Sequence, residues 1–230
     1  MVDRMSYTIA IDGPAGAGKS TIAKRVAKEL SFIYVDTGAM YRAIALYLLR
    51  NGIASDEVEK IEAACKEVQV TIAYENGEQQ VLLNGENVSK EIRQEQVGNM
   101  ASKASVHACV RAKLVALQRE LAEKENVVMD GRDIGTQVLP NATAKIYLTA
   151  SSAERARRRY LELQTKGMPG DLKEIEADII DRDYRDMNRE ISPLRQAEDA
   201  VLVDASDMGI EEVVACLIQI YEEKKQAVLA

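Results

Sequence analysis

The stretch "GPAGAGKST", Gly13 to Thr21, lies between an apolar run, "YTIAI", and a helical stretch, "IAKRVAKEL". Its spacing, Gly13-x-x-x-x-Gly18-Lys19-Ser20, with a strand before and a helix after, is that of a phosphate-binding P-loop. Gly13, Gly16 and Gly18 let main-chain N–H groups wrap a phosphate chain without Cβ clashes, and Pro14, Ala15 and Ala17 leave the loop poor in side chains. The helix N-terminus adds its partial positive charge. Lys19 reaches phosphate oxygens, the Ser20 hydroxyl is a natural Mg²⁺ ligand, and Thr21 completes the run. The loop is thus expected to hold a nucleoside triphosphate, on a buried strand that feeds directly into a helix.

The rest of the chain keeps that alternation. "FIYVD" (Phe32 to Asp36), "NVVMD" (Asn126 to Asp130), "AKIYLT" (Ala144 to Thr149) and "VLVDAS" (Val201 to Ser206) read as further strands, and a last helix starts near Ile210. Apolar strands between helices predict an α/β fold, a parallel sheet flanked by helices. One segment breaks the rhythm. In "VQVTIAYENGEQQVLLNGENV", Val68, Val70, Ile72 and Tyr74 alternate at strand period, and Asn76-Gly77 and Asn84-Gly85 supply two tight turns. That predicts a small antiparallel insert. The expected organisation is one domain over 1–230: a core of 1–62, 103–154 and 192–230, an insert at 63–102, and an arginine-rich helical lid at 155–191. Met5, just before the first strand, is an alternative start.

Composition narrows the function. The chain has 230 residues, a formal charge of −7 and a pI near 5.0, which disfavours non-specific binding to nucleic acid or to an anionic membrane surface. No run of apolar residues is long enough to span a bilayer. Cys65, Cys109 and Cys216 form no CxxC pair and suit reduced thiols in the cytoplasm. His107 is the only histidine, so the chemistry is expected to run on carboxylates, arginines, lysines or a bound cation.

Arginine is what the chain offers. Eight of its sixteen (155, 157, 158, 159, 182, 185, 189 and 195) fall within one 41-residue stretch. Ser151 and Glu154 form a capping-box signature, after which Arg155, Arg158 and Arg159 share a helix face. "DRDYRDMNREI" sets Arg182, Arg185 and Arg189 on another face, beside Asp186. Either these are solvated helices laced by Glu154–Arg158 and Arg182–Asp186 pairs, or they gather around phosphate. The intervening "QTKGMPGDL" is punctuated as a mobile lid would be. No Asn-Lys-x-Asp guanine-reading motif and no Walker-B Asp-Glu pair occurs, which argues against a GTPase or a water-activating ATPase.

The combination "IAIDGPAGAGKST", "VDTGAMYRA", "MDGRDIGT" and "DRDYRDMNR" resembles the bacterial cytidylate kinases over essentially the whole chain. "DGRDIGT" departs from the Asp-Gly-Phe-Pro-Arg of adenylate kinases. The resemblance implies transfer of the γ-phosphoryl group of ATP, with Mg²⁺, to CMP or dCMP. It implies that Arg42, Arg132 and Arg189 hold the acceptor phosphate, and that Ser102, Arg111 and Asp133 read cytosine. It further implies that Arg182 and Asp186 meet the ribose, and that Thr37 and Tyr41 lie near the acceptor. Lys19, Arg132, Arg189 and the lid arginines Arg158 and Arg159 are the expected catalytic set. Asp130 either holds Mg²⁺ through water or caps the following turn, and Asp133 has the same turn-capping alternative. An anionic acceptor oxygen needs no general base. Two other readings stay open: a P-loop kinase for UMP, AMP or shikimate, and a non-catalytic ATP-binding regulator. Monomer is the default state.

Overall fold

β1 (Thr8–Asp12) enters the P-loop and α1 (Lys19–Leu30) leaves it, as the motif requires. The coordinates are a computed structural model and describe residues 6–229, so Met5 lies outside them. β2 (Ile33–Asp36), α2 (Thr37–Arg50) and α3 (Val58–Glu67) follow, then the insert strands β3 (Val70–Glu75), β4 (Glu78–Leu83) and β5 (Glu86–Asn87). α4 (Glu95–Ala104), α5 (Ala108–Lys124), β6 (Val127–Gly131), β7 (Ala144–Thr149), α6 (Ser152–Thr165), α7 (Leu172–Asn188), β8 (Val201–Asp204) and α8 (Ile210–Leu229) complete the chain.

The five long-range strands form one parallel sheet in the order β2-β6-β1-β7-β8, which places the P-loop strand at its centre. Its two faces divide by alternation. Ile9, Ile11, Val128 and Ile146 pack with Val26 of α1 and Leu217 and Tyr221 of α8. Ala10, Val35, Val127 and Met129 pack with Met40 and Ile44 of α2 and Leu114 of α5. Burying each large side chain contributes about 1.5–3 kcal/mol, enough over both layers to fix the register. No helix among the described residues is long and apolar enough to cross a membrane.

The insert is a three-stranded antiparallel sheet, β3-β4-β5. Both of its two-residue turns place Asn and Gly at positive φ, 54° and 80° at Asn76-Gly77 and 50° and 85° at Asn84-Gly85. That twist matches the flanking strands and sets Tyr74 opposite Gln79. The base of the hairpin is buried at Val70, Val81 and Leu83, while its tip is open.

Candidate active site

The P-loop is shaped by close approach. A side chain at Gly13, whose φ is 148°, would collide with the Leu148 carbonyl of β7. Gly18 begins α1 with no side-chain cap, so the first N–H groups of that helix remain open for an anion. Lys19 is buried and its Nζ donates to the Pro14 carbonyl at 2.7 Å, arching over the loop. Burial, and then the Arg132 charge, pushes this ammonium well below the ordinary lysine range. With its pKa lowered, this ammonium is expected to give up its proton more readily above neutral pH in the free protein, and a bound triphosphate, fully ionised there, to restore it. ATP binding near pH 8.5 is therefore expected to take up protons, read as a dependence of calorimetric enthalpy on buffer ionisation enthalpy. Lys19→Met should abolish that dependence.

At the mouth of the loop Ser20 Oγ donates to Asp130 Oδ2 at 2.8 Å, and Tyr34 Oη donates to Asp130 Oδ1 at 2.8 Å. Asp130 therefore does not cap the next turn with its side chain. Burial, then the nearby Asp36 charge, raises its carboxyl. Ser20 and Asp130 offer a hydroxyl and a carboxylate side by side, a hard-oxygen set that fits Mg²⁺, which keeps most of its shell for water and phosphate. Among the described residues no group of three or more His, Cys, Asp or Glu could cage a metal. Asp12 at the end of β1 went unread in the sequence. It accepts from the N–H groups of Ile134 and Gly135, both at 2.7 Å, fastening the one-turn helix Ile134–Val138 beneath the loop. Burial lifts its carboxyl to about 6 despite these bonds.

A second set of charges faces this one. Asp133 lies buried against Arg111 and 3.6 Å from Arg189 Nη2, and makes no capping bond to the following turn. The Arg111 guanidinium sits 5.8 Å over the Tyr41 ring. Arg132 Nε donates to Asp186 Oδ2 at 2.9 Å. The expected Arg182–Asp186 pair within α7 therefore gives way to one that spans the fold, from Arg132 just after β6 to Asp186 on α7. Arg182 Nε and Arg189 Nη2 are buried without hydrogen-bond partners. Burial comes first, then Arg132, in lowering Arg182; Arg189 is lowered by burial. Arg42 is lowered by burial and then by Arg93, which the sequence reading did not single out. Arg93 Nη2 reaches Asp36 Oδ2 at 3.1 Å, and Asp36 caps α2 by accepting from the Ala39 N–H at 2.9 Å. Unpaired buried guanidinium N–H groups are costly, and oxygens of a phosphate or of a sugar would satisfy them. Thr37 Oγ1 is committed to the Asp130 carbonyl at 2.7 Å, and Ser102 is half-buried on α4.

The arginines of α6 separate rather than act as one face. Arg155 is buried, and its guanidinium donates to the carbonyls of Ala15 and Ala150 and pairs with Asp183 of α7. It props the P-loop from behind. Arg158 bonds Glu154 and the Ala205 carbonyl, and Arg159 pairs with Glu162 at 50% exposure. Ser151 Oγ caps α6 as expected, whereas the Glu154 carboxylate serves Arg157 and Arg158. A cleft of about 450 Å³ runs from Gly16, Gly18 and Thr21 past these arginines to Ala205 and Ile210. His107 Nε2 donates to the Ser55 carbonyl at 2.8 Å and stands apart from the site.

A central P-loop faced by buried, unsatisfied arginines defines a P-loop kinase. A solved gluconokinase from Sinorhizobium meliloti shares the fold at a TM-score of 0.50, with 13% identity, over 98% of this chain and 97% of that one. The family model for cytidylate kinase matches residues 9–223. Curated cytidylate kinases from Caldicellulosiruptor saccharolyticus (51% identical, over 93% of this chain and 94% of that one) and Lactobacillus johnsonii (48%, over 95% of each) match nearly end to end. That of a Geobacillus strain is 47% identical over 96% of this chain and 99% of its own. The chain belongs to the cytidylate kinase family, and it is a nucleoside monophosphate kinase.

Proposed function

We propose that the enzyme transfers the γ-phosphoryl group of ATP to CMP or dCMP, giving ADP and CDP or dCDP. The observation that carries this reading is the buried guanidinium cluster opposite the P-loop. Arg132 Nε is held by Asp186 Oδ2 at 2.9 Å, while Arg182 Nε and Arg189 Nη2 are buried without partners, so an acceptor set short of anions faces the donor loop. A migrating phosphoryl group would sit between them.

In this reading Gly13 to Thr21 hold the ATP phosphates, and Arg42, Arg132 and Arg189 hold the acceptor phosphate. Ser102, Arg111 and Asp133 read the base, a donor and acceptor set matching the cytosine amino group and its ring acceptors. Arg182 and Asp186 take the ribose, with Tyr41 and Thr37 shaping the floor. Mg²⁺, held through Ser20 and by water through Asp130, supplies charge neutralisation at the β- and γ-phosphate oxygens when bound with ATP. The acceptor oxygen is already an anion, so the protein's work is in-line alignment and electrostatic stabilisation. Residues 63–102 act as the acceptor-binding insert. Residues 155–191 act as a lid that brings Arg158 and Arg159 onto the transferring group and excludes water. Three free thiols suit a reducing, cytoplasmic setting.

A coupled assay of ATP consumption across CMP, dCMP, UMP, AMP, GMP and shikimate tests the reading. CMP and dCMP are expected to exceed AMP, GMP and shikimate in kcat/KM by about a hundredfold or more, because a missed base contact strands buried polar groups. A faster alternative acceptor would overturn the base assignment. ATP binding without turnover of any acceptor would make the protein a regulator instead.

A further inference from the structure

β2 is an edge strand of the parallel sheet, and the outward main-chain groups of such a strand ordinarily go to water or another strand. Here two side chains from the insert fill them. Tyr74 Oη donates to the Tyr34 carbonyl at 3.1 Å. The Asp36 N–H donates to Gln79 Oε1 at 2.7 Å, and Gln79 Nε2 donates back to the Asp36 carbonyl at 3.3 Å. Tyr74 and Gln79 are a directly opposed pair on β3 and β4, one position from the Asn76-Gly77 turn pair Glu75 and Glu78. The hairpin is anchored by apolar packing at its base, so its tip meets the core through this polar contact.

We infer that Gln79 and Tyr74 are positioning residues for the acceptor: they seat the insert on β2 and thereby hold Asp36. Asp36 ends β2, caps the helix that carries Tyr41 and Arg42, and grips Arg93 of the insert. A hairpin tip released from Asp36 leaves its N–H and carbonyl unmatched and frees Arg93 from its fixed place beside Arg42. Acceptor binding then has to restore the arrangement, whereas the P-loop, on the far side of β6, keeps its own contacts.

The inference rests on the proposed monophosphate site, and steady-state kinetics of Gln79→Ala and Tyr74→Phe against the unaltered enzyme test it. Gln79→Ala is expected to raise KM for CMP about tenfold and Tyr74→Phe about threefold, two lost hydrogen bonds against one. KM for ATP and kcat should stay within about twofold. Thermal unfolding of each variant provides the folding control, and Tyr74→Phe, which keeps the ring, decides the matter should Gln79→Ala not fold. An unchanged KM for CMP in the folded variants overturns the inference, as does a fall in kcat that merely tracks folded protein. If the unaltered enzyme prefers another monophosphate, the base assignment fails, and the same comparison with that acceptor still decides the role of the hairpin tip.

Discussion

Lys19→Ala is expected to lower kcat for phosphoryl transfer by about 10²–10³-fold or more, with the fold intact. Removing one preorganised charge from a developing anion typically costs about that much, and Lys19 is the fixed cation within the P-loop itself. Stability should not suffer. The ammonium is buried and makes a single hydrogen bond, to the Pro14 carbonyl. Its attraction to Asp130 and Asp12 is set against desolvation and the repulsion of Arg132 and Arg182, so its loss should change stability little. A thermal melt unchanged or slightly raised, together with collapsed turnover in the coupled assay, is the expected pair of results. Full activity in the folded variant would remove Lys19 from the mechanism.

Asp133→Ala is expected to damage both acceptor use and stability. Its carboxylate is buried between Arg111 and Arg189, and removing one member of a buried ion pair costs about 3–5 kcal/mol because the partner charge stays behind. The denaturation midpoint should drop accordingly. Among molecules that remain folded, kcat/KM for CMP should fall by about a hundredfold while KM for ATP holds, if Asp133 reads the base as proposed. An equal rise of KM for both nucleotides would show that Asp133 supports the whole site rather than reading the base. Asp133→Asn separates the two effects further. An amide keeps most of the volume and one acceptor, so it should recover stability more than it recovers CMP use.

Lys19, Ser20 and the glycines around them were legible in the sequence because a P-loop is local. Strand, loop and helix follow one another, and the glycines, lysine and serine of the phosphate cradle itself lie within a few residues. The same holds for the Asn76-Gly77 and Asn84-Gly85 turns, where positive φ is a property of the residues themselves, and for the parallel sheet, which apolar runs between helices impose. The residues proposed for the acceptor stand out through a family resemblance rather than through spacing. Their partners stayed hidden: helix periodicity pairs Arg182 with Asp186, yet Arg132, far away in the chain, takes that carboxylate. Asp12 looks like the tail of a buried strand until Ile134 and Gly135 bring their N–H groups to it. Arg155 looks like one more arginine on a lid helix until Ala15 and Asp183 enclose it. Tyr74 and Gln79 look like ordinary hairpin residues until the edge of β2 lies beside them. Local propensity and hydrophobic period act between neighbours in sequence, so the chain alone determined its elements, its sheet and its phosphate loop. Which charge meets which is decided by Coulomb and hydrogen-bond geometry over a few ångströms of space, and only the packing of the tertiary structure brings those atoms within that range.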